Sequence, residues 1–196
     1  MDRRLLTARP GDGAPGLLAF ADLPAQEFAD RLATYQSGFS WLSRADLVSV
    51  AVVRGHAIGA GFQLALACDL RLLGDDAVFT MAEPGLGLVP DLGGTKRLVE
   101  LVGYSRALEA CLTGRRIGAA EAVAIGLGSA VVSVDSLDSL AEQTVSRLLG
   151  VPRDAAIETK ALLLAAAGRD QRAQERAEGE AQYRRLRDLA GLVGEA

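Results

Sequence analysis

Hydrophobic and polar positions separate this chain into a front half of short strands, turns and short helices and a rear third that reads as helix almost throughout. The clearest strand is Leu47 to Arg54, apolar at nearly every position, the pattern of a strand covered on both faces. A small-residue turn follows, Gly55-His56-Ala57-Ile58-Gly59-Ala60-Gly61, and then an apolar helix from Phe62 to Cys68. Asp69 to Leu73 and Ala77 to Met81 read as two more strands around the turn Gly74-Asp75-Asp76. The loop from Glu83 to Gly94 holds Pro84, Gly85, Gly87, Pro90, Gly93 and Gly94. That concentration excludes a regular element and implies a shaped backbone path. Thr95 reads as the N-cap of a helix over Lys96 to Val102. Short helices are expected over Ser105 to Leu112 and Ala119 to Ile125, and a strand over Ala130 to Val134.

Ahead of the clear strand, Arg4 to Ala8 reads as a short strand and Pro10 to Gly16 as a turn or flexible loop. Leu17 to Phe20 is a brief apolar run, and a helix is expected from Pro24, at its first position, to Tyr35, with Asp22 close to the cap. Helical character resumes over Ser37 to Arg44, where Phe39, Trp41 and Leu42 read as packing residues. In the rear third, Leu137, Leu140, Val145 and Leu148 form one stripe until Pro152 breaks it, and Ala156 to Ala167 follows. Asp170 to Ala190 is polar on most faces and can pack only by a thin seam. This order implies α/β layering with a helical extension.

Composition narrows the classes. The chain has 196 residues, room for one domain or two, and 49% of them are hydrophobic, enough for a sizeable core. Its formal charge is −4, from 25 acidic against 21 basic residues, which argues against non-specific nucleic-acid binding. Cys68 and Cys111 lie in apolar contexts without metal-ligand spacing and read as buried free thiols. No apolar run is long enough for a membrane span or a signal-peptide core, so a soluble, cytoplasmic protein is expected.

The candidate chemistry sits between Gly55 and Asp91. The glycines are in the order G-x-x-x-G-x-G, which is neither a dinucleotide fingerprint nor a phosphate-binding loop with its lysine. A glycine turn at a helix start does leave backbone N–H groups uncovered around Ala60 and Gly61, where they can receive an oxyanion, and packing alone is the alternative. His56, the only histidine, has no recognisable nucleophile partner and reads as structural. Glu83 leaves an apolar strand and precedes Pro84, a fixed position for an acid–base carboxylate. Asp91, between Pro90 and Leu92, is a second carboxylate. Surface loop charge is the alternative for both. Gln63, in the first turn of the apolar helix, can orient a water or a substrate oxygen but cannot take a proton.

Three strings, RGHAIGAGFQLALACDLRLL, AVFTMAEPGLGLVPDLGGTKRL and LVGYSRALEACLTGRRIGAAEAVAIGL, resemble the enoyl-CoA hydratase/isomerase (crotonase) family, nearly continuously from Val48 to Leu127. The resemblance implies an α/β, crotonase-like spiral of β-β-α units with a helical C-terminal extension, lacking the family's usual first strands and helix. It divides the chain at 1–135, a truncated spiral core, and 136–196, a helical region for trimerisation and for covering an acyl pocket. It further implies a homotrimer or hexamer and an acyl-CoA substrate, with coenzyme A part of the substrate, no permanently bound cofactor and no metal. The oxyanion-hole donors would be the N–H groups of Ala60 and Ala21, the latter because Phe20-Ala21-Asp22-Leu23 is similar to a family loop. Asp22, Leu23 and Lys160 would contact the coenzyme.

Hydratases of the family use two glutamates; one corresponds to Glu83, and the other falls on Gln63. Asp91 stands where family dienoyl-CoA isomerases carry an aspartate. The resemblance therefore implies double-bond migration with Glu83 as acid and base. A weak hydratase, or a non-catalytic scaffold that has lost the acyl-CoA site, is the alternative.

Overall fold

A computed structural model describes residues 17–191; the expected strand Arg4–Ala8 and the loop Pro10–Gly16 lie outside them. The chain clusters into two units. The first takes in the described residues through Ser43 together with Ser49–Ala141. The second combines Arg44–Val48 with the chain from Glu142 onward.

In the first unit a 3-10 turn, Leu17–Phe20, precedes α1 (Ala25–Ser40), which has Pro24 as its cap residue and runs straight through to a second 3-10 turn, Trp41–Ser43. No residue of α1 is buried, and Trp41 stands half exposed with its indole N–H on the Gly38 carbonyl at 3.0 Å, so its expected packing role is not realised. The chain then twice makes two short strands and a helix. The first set is β1 (Val50–Val53), β2 (His56–Ile58) and α2 (Ala60–Ala67). The second is β3 (Leu70–Gly74), β4 (Val78–Thr80) and, after a loop, α3 (Gly94–Val102). There follow α4 (Tyr104–Thr113), β5 (Ile117–Gly118), α5 (Ala119–Ala124), β6 (Ala130–Val132) and the start of α6 (Val134–Leu149).

Equivalent strands of the two sets lie side by side. Val50–Val53 pairs in parallel with Leu70–Leu73, and His56–Ile58 with Val78–Thr80, so the chain winds through two sheets at once. One sheet has the order β1-β3-β6, all parallel, and the other β2-β4-β5 with β5 antiparallel. Strand β2 falls inside what the sequence presents as a glycine turn. Its ladder is extended at both ends, where Val78 N–H donates to Gly55 O at 2.7 Å and Gly59 N–H to Thr80 O at 2.9 Å. The core lies between these sheets and helices α2 to α5. Phe62 from α2 meets Phe79 from β4 at 5.1 Å between ring centroids, with Leu66, Leu73, Leu98 and Ile117 fully buried around them. Each such side chain contributes roughly 1.5–3 kcal/mol by leaving water.

Two expectations need correction here. Strand β1 is not covered on both faces, because Val52 keeps 40% of its surface exposed. The Glu83–Gly94 loop does contain a regular turn, 3-10 at Pro84–Leu86, and α3 starts at Gly94 with Gly93 as its cap residue, two residues before the expected cap Thr95.

The second unit is helical. It holds the end of α6, then α7 (Arg153–Ala166) and α8 (Gln171–Leu189). The stripe expected on α6 is incomplete, with Leu137 buried but Val145 exposed. Asp170 caps α8 by accepting from Ala173 N–H at 2.8 Å. Arg184 of α8 grips Glu158 of α7 with two bonds of 2.8 Å, and Ala181 supplies the buried contact of an otherwise polar helix.

Candidate active site

Residue 59 must be glycine for a reason the coordinates make explicit. Its φ of 54° and ψ of −117° turn the chain from β2 directly into α2, in a region that side-chain-bearing residues avoid. A Cβ there would also lie 3.1 Å from Glu83 Oε1 and 3.5 Å from Oε2. The absent side chain therefore lets the backbone lie against the Glu83 carboxylate. Ala60, the next residue, opens α2, and an N–H at that position has no partner four residues back in its own helix. Gly59 O accepts from Gln63 N–H at 2.9 Å, which seats the first turn.

Glu83 closes the strand–loop corner after β4 and is 4% exposed. Its Oε1 accepts from Gln63 Nε2 at 2.8 Å, whereas Oε2 is buried without a hydrogen-bond partner. Gln63 is 1% exposed and fully specified by its surroundings. Its Oε1 accepts from Leu92 N–H at 2.9 Å and Gly94 N–H at 3.3 Å, where the loop enters α3. Those two donors orient the amide oxygen toward α3 and its NH₂ toward Glu83. Gly94 has to be small as well, since a Cβ there would fall 2.8 Å from Gln63 Cγ. The loop is tied from a third side by Gln36 Nε2, which donates to Asp91 O at 2.7 Å.

An apolar cavity of about 410 Å³ is walled by the loop after Glu83 and by α3 and α4; neither Glu83 nor Gln63 lines it. Pro84, the residue after Glu83, lines it, as does Cys111. Burial pushes the Cys111 thiol above its usual pKa, and the Glu83 charge adds to the rise.

The expected site residues thus have different fates. Ala60, Gln63 and Glu83 come together. Asp91 is held nearby through its backbone, but its carboxylate bonds to neither Gln63 nor Glu83. Ala21 lies in an exposed turn and spends its N–H on Leu18 O at 3.1 Å, which leaves it no proton for an oxyanion. Asp22 is exposed, and Leu23 N–H donates to Phe20 O at 3.2 Å. Lys160 is buried within the second unit and donates to Leu47 O at 2.7 Å. His56 is an exposed strand residue in register with Val78, a structural part. Cys68 is buried and Cys111 half-buried, and neither is in a disulfide. Among the described residues no cluster of three His, Cys, Asp or Glu could hold a metal ion, and no helix is long and apolar enough to cross a membrane.

Sequence reasoning missed two buried polar residues, Ser49 before β1 and, with more bonds to satisfy, Arg71 on β3. At 3% exposure its guanidinium donates to the carbonyls of Leu127 (2.6 Å), Cys68 (2.6 Å), Ala65 (3.2 Å) and Asp69 (3.2 Å). A charged residue inside an otherwise apolar strand was the available signal.

Comparison with known proteins agrees with this architecture. The family model described as enoyl-CoA hydratase/isomerase matches residues 21–188. A Thermobifida fusca YX protein named as a candidate enoyl-CoA hydratase and crystallised with CoA is 51% identical, with a TM-score of 0.88 over 97% of this chain and 72% of its own. The mitochondrial candidate enoyl-CoA hydratase 2 of Arabidopsis thaliana is 46% identical over 45% of this chain and 30% of its own length. The enoyl-CoA isomerase/hydratase claC of Penicillium crustosum is 39% identical over 58% of this chain and 13% of its own. The matched region thus spans less than a third of these two curated relatives. With the spiral of strand–strand–helix sets and the family model covering most of its length, the chain belongs to the enoyl-CoA hydratase/isomerase family.

Proposed function

We propose that this chain moves a carbon–carbon double bond within an enoyl-CoA thioester, with Glu83 carrying the proton. The observation that supports this reading is the division of labour on one buried carboxylate. Gln63 occupies Glu83 Oε1, and Oε2 is left without a partner beside the Gly59–Ala60 backbone. Glu83 Oε2 takes a proton from Cα of a 3-enoyl thioester. The C–H electron pair moves into the conjugated dienolate, whose negative oxygen is received by Ala60 N–H at the start of α2. The same carboxylic acid returns the proton to Cγ, giving the 2-enoyl thioester with no atom gained or lost.

Hydration fits less well. It needs a second group to hold and activate a water, and both acceptor lone pairs of Gln63 Oε1 are already taken by Leu92 and Gly94. Coenzyme A is proposed as part of the substrate, in keeping with the Thermobifida protein crystallised with CoA. A homotrimer or a hexamer is the proposed assembly, and light scattering on the purified protein checks it.

The test of the reaction is turnover of 3-enoyl-CoA and 2-enoyl-CoA by the wild type and by Glu83→Gln. Double-bond migration by the wild type and its loss in the variant are expected. Hydration without migration would replace this reading with a hydratase, and no turnover of either thioester would leave a non-catalytic scaffold.

A further inference from the structure

Resting on that reaction, we infer that Gln36 of α1 is a positioning residue for the proton-carrying carboxylate, acting on Glu83 through the peptide group between Asp91 and Leu92 and then through Gln63. Three short bonds run in series from an outer helix to the buried site. Gln36 Nε2 donates to Asp91 O at 2.7 Å, Leu92 N–H donates to Gln63 Oε1 at 2.9 Å, and Gln63 Nε2 donates to Glu83 Oε1 at 2.8 Å. The first two bonds fall on the carbonyl and the N–H of one peptide unit, which is planar and points them to opposite sides. Holding its oxygen therefore fixes the direction of its N–H, and a carbonyl that accepts a bond makes that N–H a stronger donor.

What this hold decides is which end of the Gln63 amide faces Glu83. The oxygen and the NH₂ of a glutamine are nearly equal in size, so packing alone does not choose between them. Leu92 N–H holds the oxygen, aided by Gly94 N–H at the longer distance of 3.3 Å, and the NH₂ is left for Glu83 Oε1. Turned round, the amide would set its oxygen against the carboxylate and its NH₂ against two N–H groups. Glu83 would then have neither oxygen bonded, since Oε2 already has no partner. The place of Gln36 on α1 separates this role from anchoring the helix. Leu32, Gln36 and Phe39 share one face and are half-buried, whereas every other residue of α1 is exposed. The two apolar side chains supply the packing of that face. The amide between them is spent on one loop carbonyl, fifty-five residues away.

The experiment compares the wild type with Gln36→Met, which keeps the length without a donor, and Gln36→Lys, which keeps a donor. Gln63→Met and the double variant complete the set. The readouts are kcat and KM for 3-enoyl-CoA, the thermal midpoint, and hydrogen exchange over residues 88–94 by mass spectrometry. Gln36→Met should lower kcat about three- to tenfold, the worth of one hydrogen bond, with KM changed less than about twofold. Its thermal midpoint should fall by no more than a few degrees. Exchange over 88–94 should speed up, and Gln36→Lys should restore both kcat and protection. Once Gln63 is Met, the change at Gln36 should have no further effect on kcat. An unchanged kcat in Gln36→Met, or an equal loss in the Gln63→Met background, overturns the inference and leaves the reaction standing. So does a loss that follows a lowered midpoint and that lysine does not restore. A wild type without turnover overturns the reaction instead, and exchange alone then decides the link from Gln36 to the site. Faster exchange over 88–94 in Gln36→Met supports that link, and unchanged exchange overturns it.

Discussion

Two of the buried polar residues, Arg71 and Glu83, lie about a dozen residues apart in sequence and are built on opposite plans. Arg71 gives its guanidinium to four backbone carbonyls, drawn from the end of α2, the start of β3 and the approach to β6. Burial depresses its pKa, yet an arginine stays charged in any case. Glu83 is equally buried, but only one of its two oxygens is bonded. Arg71 has its hydrogen bonds completed by backbone; Glu83, the proposed proton carrier, is left one bond short. The same contrast separates Glu83 from Gln63, whose oxygen is saturated while its amide holds the carboxylate in place.

Three substitutions break or sharpen that contrast. Glu83→Gln should cost the largest amount, about 10²- to 10⁴-fold in turnover, while the urea midpoint stays put or rises because a half-satisfied buried charge is removed. Arg71→Ala should do the reverse, lowering stability by roughly 3–5 kcal/mol as its carbonyls lose their donor, measured by urea denaturation. Gly59→Ala should cost about 1–3 kcal/mol of stability, since alanine dislikes a φ of 54° and its Cβ presses on Glu83 Oε1; turnover should fall with it in the same assay. The smallest effect concerns Cys111. Removing the Glu83 charge lowers the thiol pKa toward its usual value, so Glu83→Gln should modestly speed alkylation of Cys111 at fixed pH, read by mass spectrometry. Burial, the larger cause of the shift, remains, so the rate should not reach that of an exposed thiol.

How far these features could be read from residues alone follows from their physics. The helices α2, α4 and α8 were legible, because periodic apolar positions and flanking glycine or aspartate mark them; so were strands β3 and β4. Strands β2 and β5 were not. They are three and two residues long, and His56-Ala57-Ile58 between two glycines carries no alternation that distinguishes strand from turn. The exposure of Val52 escaped as well, because an apolar run reads the same whether or not its outer face is covered. At the site, Glu83, Gln63 and Ala60 stood out by residue type and local context. Their convergence did not, since the bond from Gln63 to Glu83 joins residues twenty apart and depends on the pairing of β2 with β4. Ala21 shows the converse error: a short string resembled a donor loop, but its N–H closes a 3-10 turn.

The central claim is that Glu83 Oε2 removes a proton next to the thioester carbonyl. Its most direct test is exchange of the Cα protons of a saturated acyl-CoA in D₂O, followed by NMR, because no double bond or leaving group takes part. Catalysed exchange by the wild type, lost in Glu83→Gln at equal acyl-CoA occupancy, is the predicted result. Exchange at the same rate in the variant, or none with the saturated wild type, would contradict it.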